Sequence, residues 1–166
     1  MADYTSVDLH DPRIEPRRAV RFAGIRRRHQ KDGFDFAEFP RQISEMKSML
    51  PGLEARVGNL VCDIFWGMLD DADYFDYLVG VVVSEDAELP EGFSSLRLPA
   101  QSYAIVTCPA GGDPRDTVYT LWHEWLPEAG AVPVGADAPE FIYEHAEGYR
   151  EEERNERVEI FVPVRR

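Results

Sequence analysis

The chain has 166 residues, 44% hydrophobic and 30% charged, enough for one domain with a real core or for two small fused modules. Eighteen basic against thirty-one acidic residues leave a net charge of −13, which repels a polyphosphate backbone and argues against non-specific nucleic-acid binding. No apolar run approaches the roughly 20 residues of a membrane span, and the polar start "MADYTSVDLHDPRIEP" has no signal-peptide core, so a cytoplasmic protein is expected.

Residues 1–12 read as a loose N-terminal arm, and 13–166 as a single domain of two modules. The apolar and basic mixture around Val20 to Ile25 reads as a strand. After "KDG", Phe39, Ile43, Met46 and Leu50 recur at helical spacing, with Pro40 tolerable in the first turn and Pro51-Gly52 as the stop. "NLVCDIFWGML" and "YFDYLVGVVV", rich in β-branched and aromatic residues, follow as strands separated by the acidic turn "DDAD". The first module, about 13–83, is therefore β-α-β-β.

Residues 84–92, acidic and carrying Pro90 and Gly92, read as a linker, after which the order repeats over about 93–166. "LRLPAQSYAIVTCPA" is strand-like and "GGDP" a breaker. Val118, Leu121, Trp122, Trp125 and Leu126 mark one face of a helix that Pro127 and Gly130 end. "EFIYEH" and "VEIFVPV" close the chain as strands, with the charged loop "EEERNER" between them. Phe22-Ala23 matches Tyr103-Ala104 and Asp76 matches Glu159 at nearly the same offset, which points to a duplicated unit. The expected fold is α+β: two β-α-β-β modules related by a pseudo-twofold axis, with antiparallel sheets forming a central cleft and helices on one side.

Cys62 and Cys108 lie in apolar runs and read as buried thiols. The four histidines lack ligand spacing, so no metal or other cofactor is expected, and His123 and His145 read as structural or exposed. The arginines at 17, 18, 21 and 26–28 read as a solvated strand face balancing an acidic body.

Strand alternation singles out the remaining residues. Val158, Ile160, Val162 and Val164 should meet the helices, leaving Glu159 and Phe161 on the opposite face. By the same rule Asp76 and Leu78 oppose Phe75, Tyr77, Val79 and Val81. Ile142 and Glu144 share one face of their strand, while Asp63 and Phe65 share a face opposite Cys62, Ile64 and Trp66. Acids beside large apolar groups suit a lipophilic cation, because rings supply cation–π contact and a carboxylate neutralises the charge.

The stretches "FDYLVGVVV", "LPAQSYAIVTCPAG", "VYTLWHEWLPEAG", "APEFIYEHAEG" and "VEIFVPV", in this order and spacing, resemble the GyrI-like, or AraC-type effector-binding, small-molecule-binding family. The resemblance implies two β-α-β-β (SHS2) modules with a multidrug-type pocket of aromatics and buried glutamate between them. Its last-strand glutamate falls on Glu159, and the aromatic two residues later on Phe161, where a tyrosine is common. In "PEFIYE", Ile142 stands where the family has an acid and Glu144 where it has a tyrosine. The expected ligand site is Glu159, Phe161, Glu144, Ile142, Asp76, Leu78, Asp63, Phe65, Trp66 and Tyr103.

The resulting expectation is a stand-alone module that binds a small amphipathic or cationic organic ligand, with no nucleic acid and no membrane as partner. An exposed sheet edge also offers a surface for a homodimer. Two alternatives follow from the resemblance. One is a hydrolase opening the cyclopropane ring of alkylating toxins, with Glu159 activating water. The other is a protein-interaction role similar to gyrase-inhibitory relatives.

Overall fold

The computed structural model describes residues 4–135 and 137–165; positions 1–3 of the expected arm, with 136 and 166, lie outside them. The elements run β1 (His10–Arg17), β2 (Val20–Gln30), α1 (Glu38–Met49), β3 (Leu60–Trp66) and β4 (Tyr74–Val83), then β5 (Ser94–Leu98) and β6 (Gln101–Cys108). A second helical stretch follows as α2 (Pro114–Thr120), a π-helical turn at Leu121–Trp125 and α3 (Leu126–Ala129), before β7 (Val132–Pro133), β8 (Phe141–Ala146) and β9 (Val158–Arg165). The class is α+β, as expected. The strands, however, form one continuous antiparallel sheet in the order β1-β6-β9-β8-β3-β4-β2-β5, with β7 on β9, and the two halves of the chain pair at β3–β8, β1–β6 and β2–β5.

Local chemistry places the helices. The Asp113 side chain accepts from Arg115 N at 2.9 Å and Pro114 takes the first helical position, where a missing N–H costs nothing. Pro127, whose ring crowds the carbonyl four residues back, follows the π turn, and Gly130 at φ 70° ends the helix. Both helical stretches pack on one face of the sheet. Their contacts, Met46 from α1 and Val118, Leu121 and Leu126 from the second stretch, share a core with Val79, Val81, Val158, Ile160 and Val162. A smaller cluster around Phe22, Cys62, Ile64, Leu78, Ile105 and Ile142 occupies the helix-free face.

Two elements differ from the sequence reading. The single strand expected after the linker is divided at Pro99-Ala100, so that β5 pairs with β2 while β6 pairs with β1 and β9. Proline removes a ladder donor, which lets the chain leave one edge and cross to the other. The arm is also not loose from Tyr4 onward. The Tyr4 hydroxyl and Ser6 Oγ donate to the two oxygens of Glu124 (2.7 and 2.8 Å), and the Tyr4 ring stacks on Tyr119 at 5.5 Å.

The strand order imposes a bend. Six inter-strand steps separate β1 from β2, or roughly 29 Å across a flat sheet. Only Arg18 and Ala19 connect the two strands, and three residue steps reach at most roughly 11 Å. Pro99 and Ala100 make an equally short link from β5 to β6. The sheet must therefore curl until its two ends meet, with the helix-free face inside.

The cross-strand glycines Gly24 and Gly80 mark close approach on that inner face: an added Cβ would lie 2.0 Å from Val79 O at the first and 2.4 Å from Ala23 O at the second. Gly80→Ala is expected to cost about 1–3 kcal/mol, the range for overpacking in a closed core, as read by urea denaturation against the unaltered protein.

Candidate ligand site

The inner face of the curled sheet holds a cavity of about 500 Å³. Its roof is the end of β1 and the β1–β2 connection, Pro16 to Ala19, and its walls come from β2, β3, β4, β6, β8 and β9. Four expected site residues line it: Tyr103, Ile142, Glu144 and Phe161. Tyr103 and Phe161 meet edge to face at 6.0 Å and 87°, and the Tyr103 hydroxyl accepts from Gln101 Nε2 at 3.0 Å.

Glu144 is the acid of this wall. Burial raises its carboxyl above the usual glutamate range; Arg17 opposes that shift and Glu159 adds to it. Among the described residues no side chain donates a hydrogen bond to Glu144. Glu159 is its direct cross-strand partner on the same face. Thr107 Oγ1 donates to Glu159 Oε1 at 2.8 Å, and the buried Oε2 of Glu159 has no partner. The cavity lining thus includes the acid of β8 but not its cross-strand partner on β9.

Asp76 and Trp66 lie on the same inner face but belong to a second cavity of about 600 Å³. Asp76 is bound by Arg26 Nη2 at 3.0 Å and Arg28 Nε at 2.8 Å. Burial opposes its charge, yet the hydrogen bonds and charges of Arg28 and Arg26 prevail and hold its carboxyl below the usual aspartate range. Leu78 is fully buried in the small cluster and reaches neither cavity.

Asp63 and Phe65 depart from the expected site: both project under the helices. Phe65 stacks between Tyr77 (5.0 Å) and Phe141 (4.7 Å). Asp63 is the centre of a buried polar network in which the Tyr77 hydroxyl donates to Oδ1 at 2.6 Å and His145 Nε2 lies 2.7 Å from Oδ2. The reason is parity, since residues 63 and 65 oppose Cys62 on β3, and it is Cys62 that reaches the cavity.

Both ring nitrogens of His145 face acceptors, Nδ1 meeting Ala146 O at 2.9 Å, so the imidazole is set to donate twice. Burial alone pushes it down, but the Asp63 charge and hydrogen bond with the Ala146 carbonyl carry it above the ordinary histidine value.

Val20, Phe22, Cys62, Val82 and the roof residues 16–19 were not among the expected site residues. Strand parity was the available signal for Phe22 and Cys62. The roof left none, because Arg17 and Arg18 reach the cavity only after the sheet has curled.

A curled antiparallel sheet, helices on its outer face and an aromatic, acid-bearing cavity inside define an effector-binding module. Residues 13–164 match the family of the integron-associated effector binding protein Cass2, and the chain belongs to that family. No curated protein matches it. Among solved structures, SAV2435 bound to tetraphenylphosphonium is similar at 14% identity, with 93% of this chain and 94% of that one covered and a TM-score of 0.62. EcmrR in a complex with DNA is similar at 12% identity and a TM-score of 0.68; the match spans 95% of this chain but 58% of EcmrR. The integron cassette protein VCH_CASS2 from Vibrio cholerae has 14% identity, coverage of 93% and 95%, and a TM-score of 0.52. At these identities the structures establish a shared fold.

The His145–Asp63 pair gives a stability prediction. Because folding raises the His145 value, its contribution is complete below about pH 6.5 and is lost as pH rises through the folded value. Asp63→Asn should cost about 3–5 kcal/mol, as removal of one partner strands the other in the core. It should also flatten the decline in denaturation midpoint above neutral pH.

Proposed function

We propose that the protein captures a small lipophilic cation in the roofed cavity, with Glu144 as the neutralising acid and Phe161 and Tyr103 as the aromatic surfaces. The observation that carries this reading is Glu144 itself: a half-buried carboxylate in an otherwise largely apolar wall, with no side-chain donor among the described residues. A desolvated acid of this kind is costly unless a cation meets it, and the adjacent rings suit a cation that is itself apolar. The net charge of −13 draws cations towards the opening and disfavours direct contact with nucleic acid.

The tetraphenylphosphonium held by SAV2435 makes that ion a reasonable first probe. For the hydrolytic alternative, Glu159 would have to present its carboxylate to a substrate. Instead one oxygen is engaged by Thr107 and the other is buried without a partner.

Calorimetric titration with tetraphenylphosphonium tests the proposal. Saturable binding is expected, and Glu144→Gln should weaken it about ten-fold, equivalent to roughly 1.4 kcal/mol. Binding should weaken on acidification through a range above that of an ordinary glutamate, because protonation removes the charge the ligand needs. In Glu144→Gln that dependence should vanish. Equal affinity in both proteins, or no dependence on pH, would remove Glu144 from the site.

A further inference from the structure

The inner face offers two places where an arginine meets a ring near a carboxylate, and the two differ in how firmly the arginine is held. Arg26 lies with its guanidinium carbon 3.8 Å from the Trp66 ring centroid, and its Nε and Nη2 both donate to Asp76 Oδ2 at 3.2 and 3.0 Å. Arg28 takes the other oxygen at 2.8 Å. Ring and acid are both occupied by the protein's own cations. Trp66 and Asp76 are therefore closed to an incoming cation, although Asp73 and Asp137 also line that cavity.

Arg17 sits differently. It lines the other cavity with its guanidinium carbon 5.6 Å from the Phe161 centroid, near the outer limit of roughly 6 Å for a cation–π contact. Its charge opposes the effect of burial on both Glu144 and Tyr103, so its field reaches the wall. Yet no ion pair joins Arg17 to Glu144 among the described residues. It is tied outward instead, Nη2 to Glu15 Oε2 at 3.0 Å, and Glu15 is held in turn by Arg13 Nε at 2.8 Å. The side chain is 46% exposed and belongs to the short roof, so it has a partner to keep if it leaves the ring.

We infer that Arg17 is a tethered internal cation that loosely occupies the place beside Phe161 and Glu144 and is displaced by the ligand, whereas Arg26 fills the place beside Trp66 and Asp76 for good. The inference rests on Glu144 being the ligand-facing acid. It also narrows the ligand class. A small hydrated ammonium or guanidinium replaces Arg17 with nothing better. A cation whose charge is spread over aromatic groups adds apolar contact with Phe22, Ile142 and Tyr103, and that surplus drives the exchange. Arg17 thus acts as a selectivity filter against hydrophilic cations.

Calorimetric titrations of wild type, Arg17→Gln, Arg17→Lys and Glu144→Gln test this, with tetraphenylphosphonium as the charged probe and triphenylphosphine oxide as a neutral one. Circular dichroism first establishes that each variant is folded. Arg17→Gln should bind the phosphonium about three- to ten-fold more tightly, the range set by a partly exposed cation–π contact and charge repulsion. Arg17→Lys should stay close to wild type, and the neutral probe should change less than two-fold. Unchanged or weaker phosphonium binding in Arg17→Gln, with Glu144→Gln still impaired, overturns the role of Arg17 and leaves the cation site standing. Equal tightening of both probes assigns Arg17 a merely steric part and also overturns it. If Glu144→Gln binds as well as wild type, the cation site falls, and the inference with it.

Discussion

Two connections of two residues each, Arg18-Ala19 and Pro99-Ala100, govern the architecture. Each joins strands from opposite ends of the sheet, a separation that no four-residue segment spans unless the sheet is rolled. Val20 pairs with Leu98 and Arg17 with Gln101, so the two crossings start and end beside one another and form a double strap. Curling has two consequences. The outer face becomes convex and takes the helices and the large core. The inner face carries a cavity of about 500 Å³, a size that suits a small molecule.

Confinement changes the meaning of ordinary surface residues. On a flat, wet face Glu144 and Glu159 would be a mildly repulsive cross-strand pair. Inside the curl, Glu144 loses water and its carboxyl rises above the usual range, while Glu159 keeps a hydrogen bond from Thr107. A carboxylate left in such a position costs some stability, a pattern common to binding sites. The same confinement brings Arg17 from an expected solvent-facing cluster to the edge of an aromatic ring.

The β3–β8 seam is fixed from the other side of the sheet. Asp63 of β3, Tyr77 of β4 and His145 of β8 form a hydrogen-bonded chain across three strands beneath the helices. The cavity residues Cys62 and Glu144 are immediate neighbours of Asp63 and His145 on β3 and β8, and pair with one another across that seam. The network therefore sets the relative height of the two strands whose inner side chains contribute to the wall. Positional definition of a site by satisfied groups behind it is a general requirement for selective binding.

Much of this was legible in the chain. Helical spacing located α1 and the second helical stretch, and period-two alternation assigned Glu159 and Phe161 to the face away from the helices and put Ile142 and Glu144 together on one face of their strand. These properties are local: φ/ψ preferences and side-chain alternation act over a few residues and need no knowledge of the rest of the chain. What tertiary structure alone decided was which inner-face residues share a cavity. Glu159 and Glu144 have equal claims by parity, as do Trp66 and Phe161. Yet Glu144 and Phe161 line the roofed space, Glu159 is held by Thr107 outside its lining and Trp66 is covered by Arg26. That separation depends on how far the sheet rolls and where two short connections cross it. Contacts between residues so distant in sequence are set by strand pairing and chain length together, and no local pattern records them.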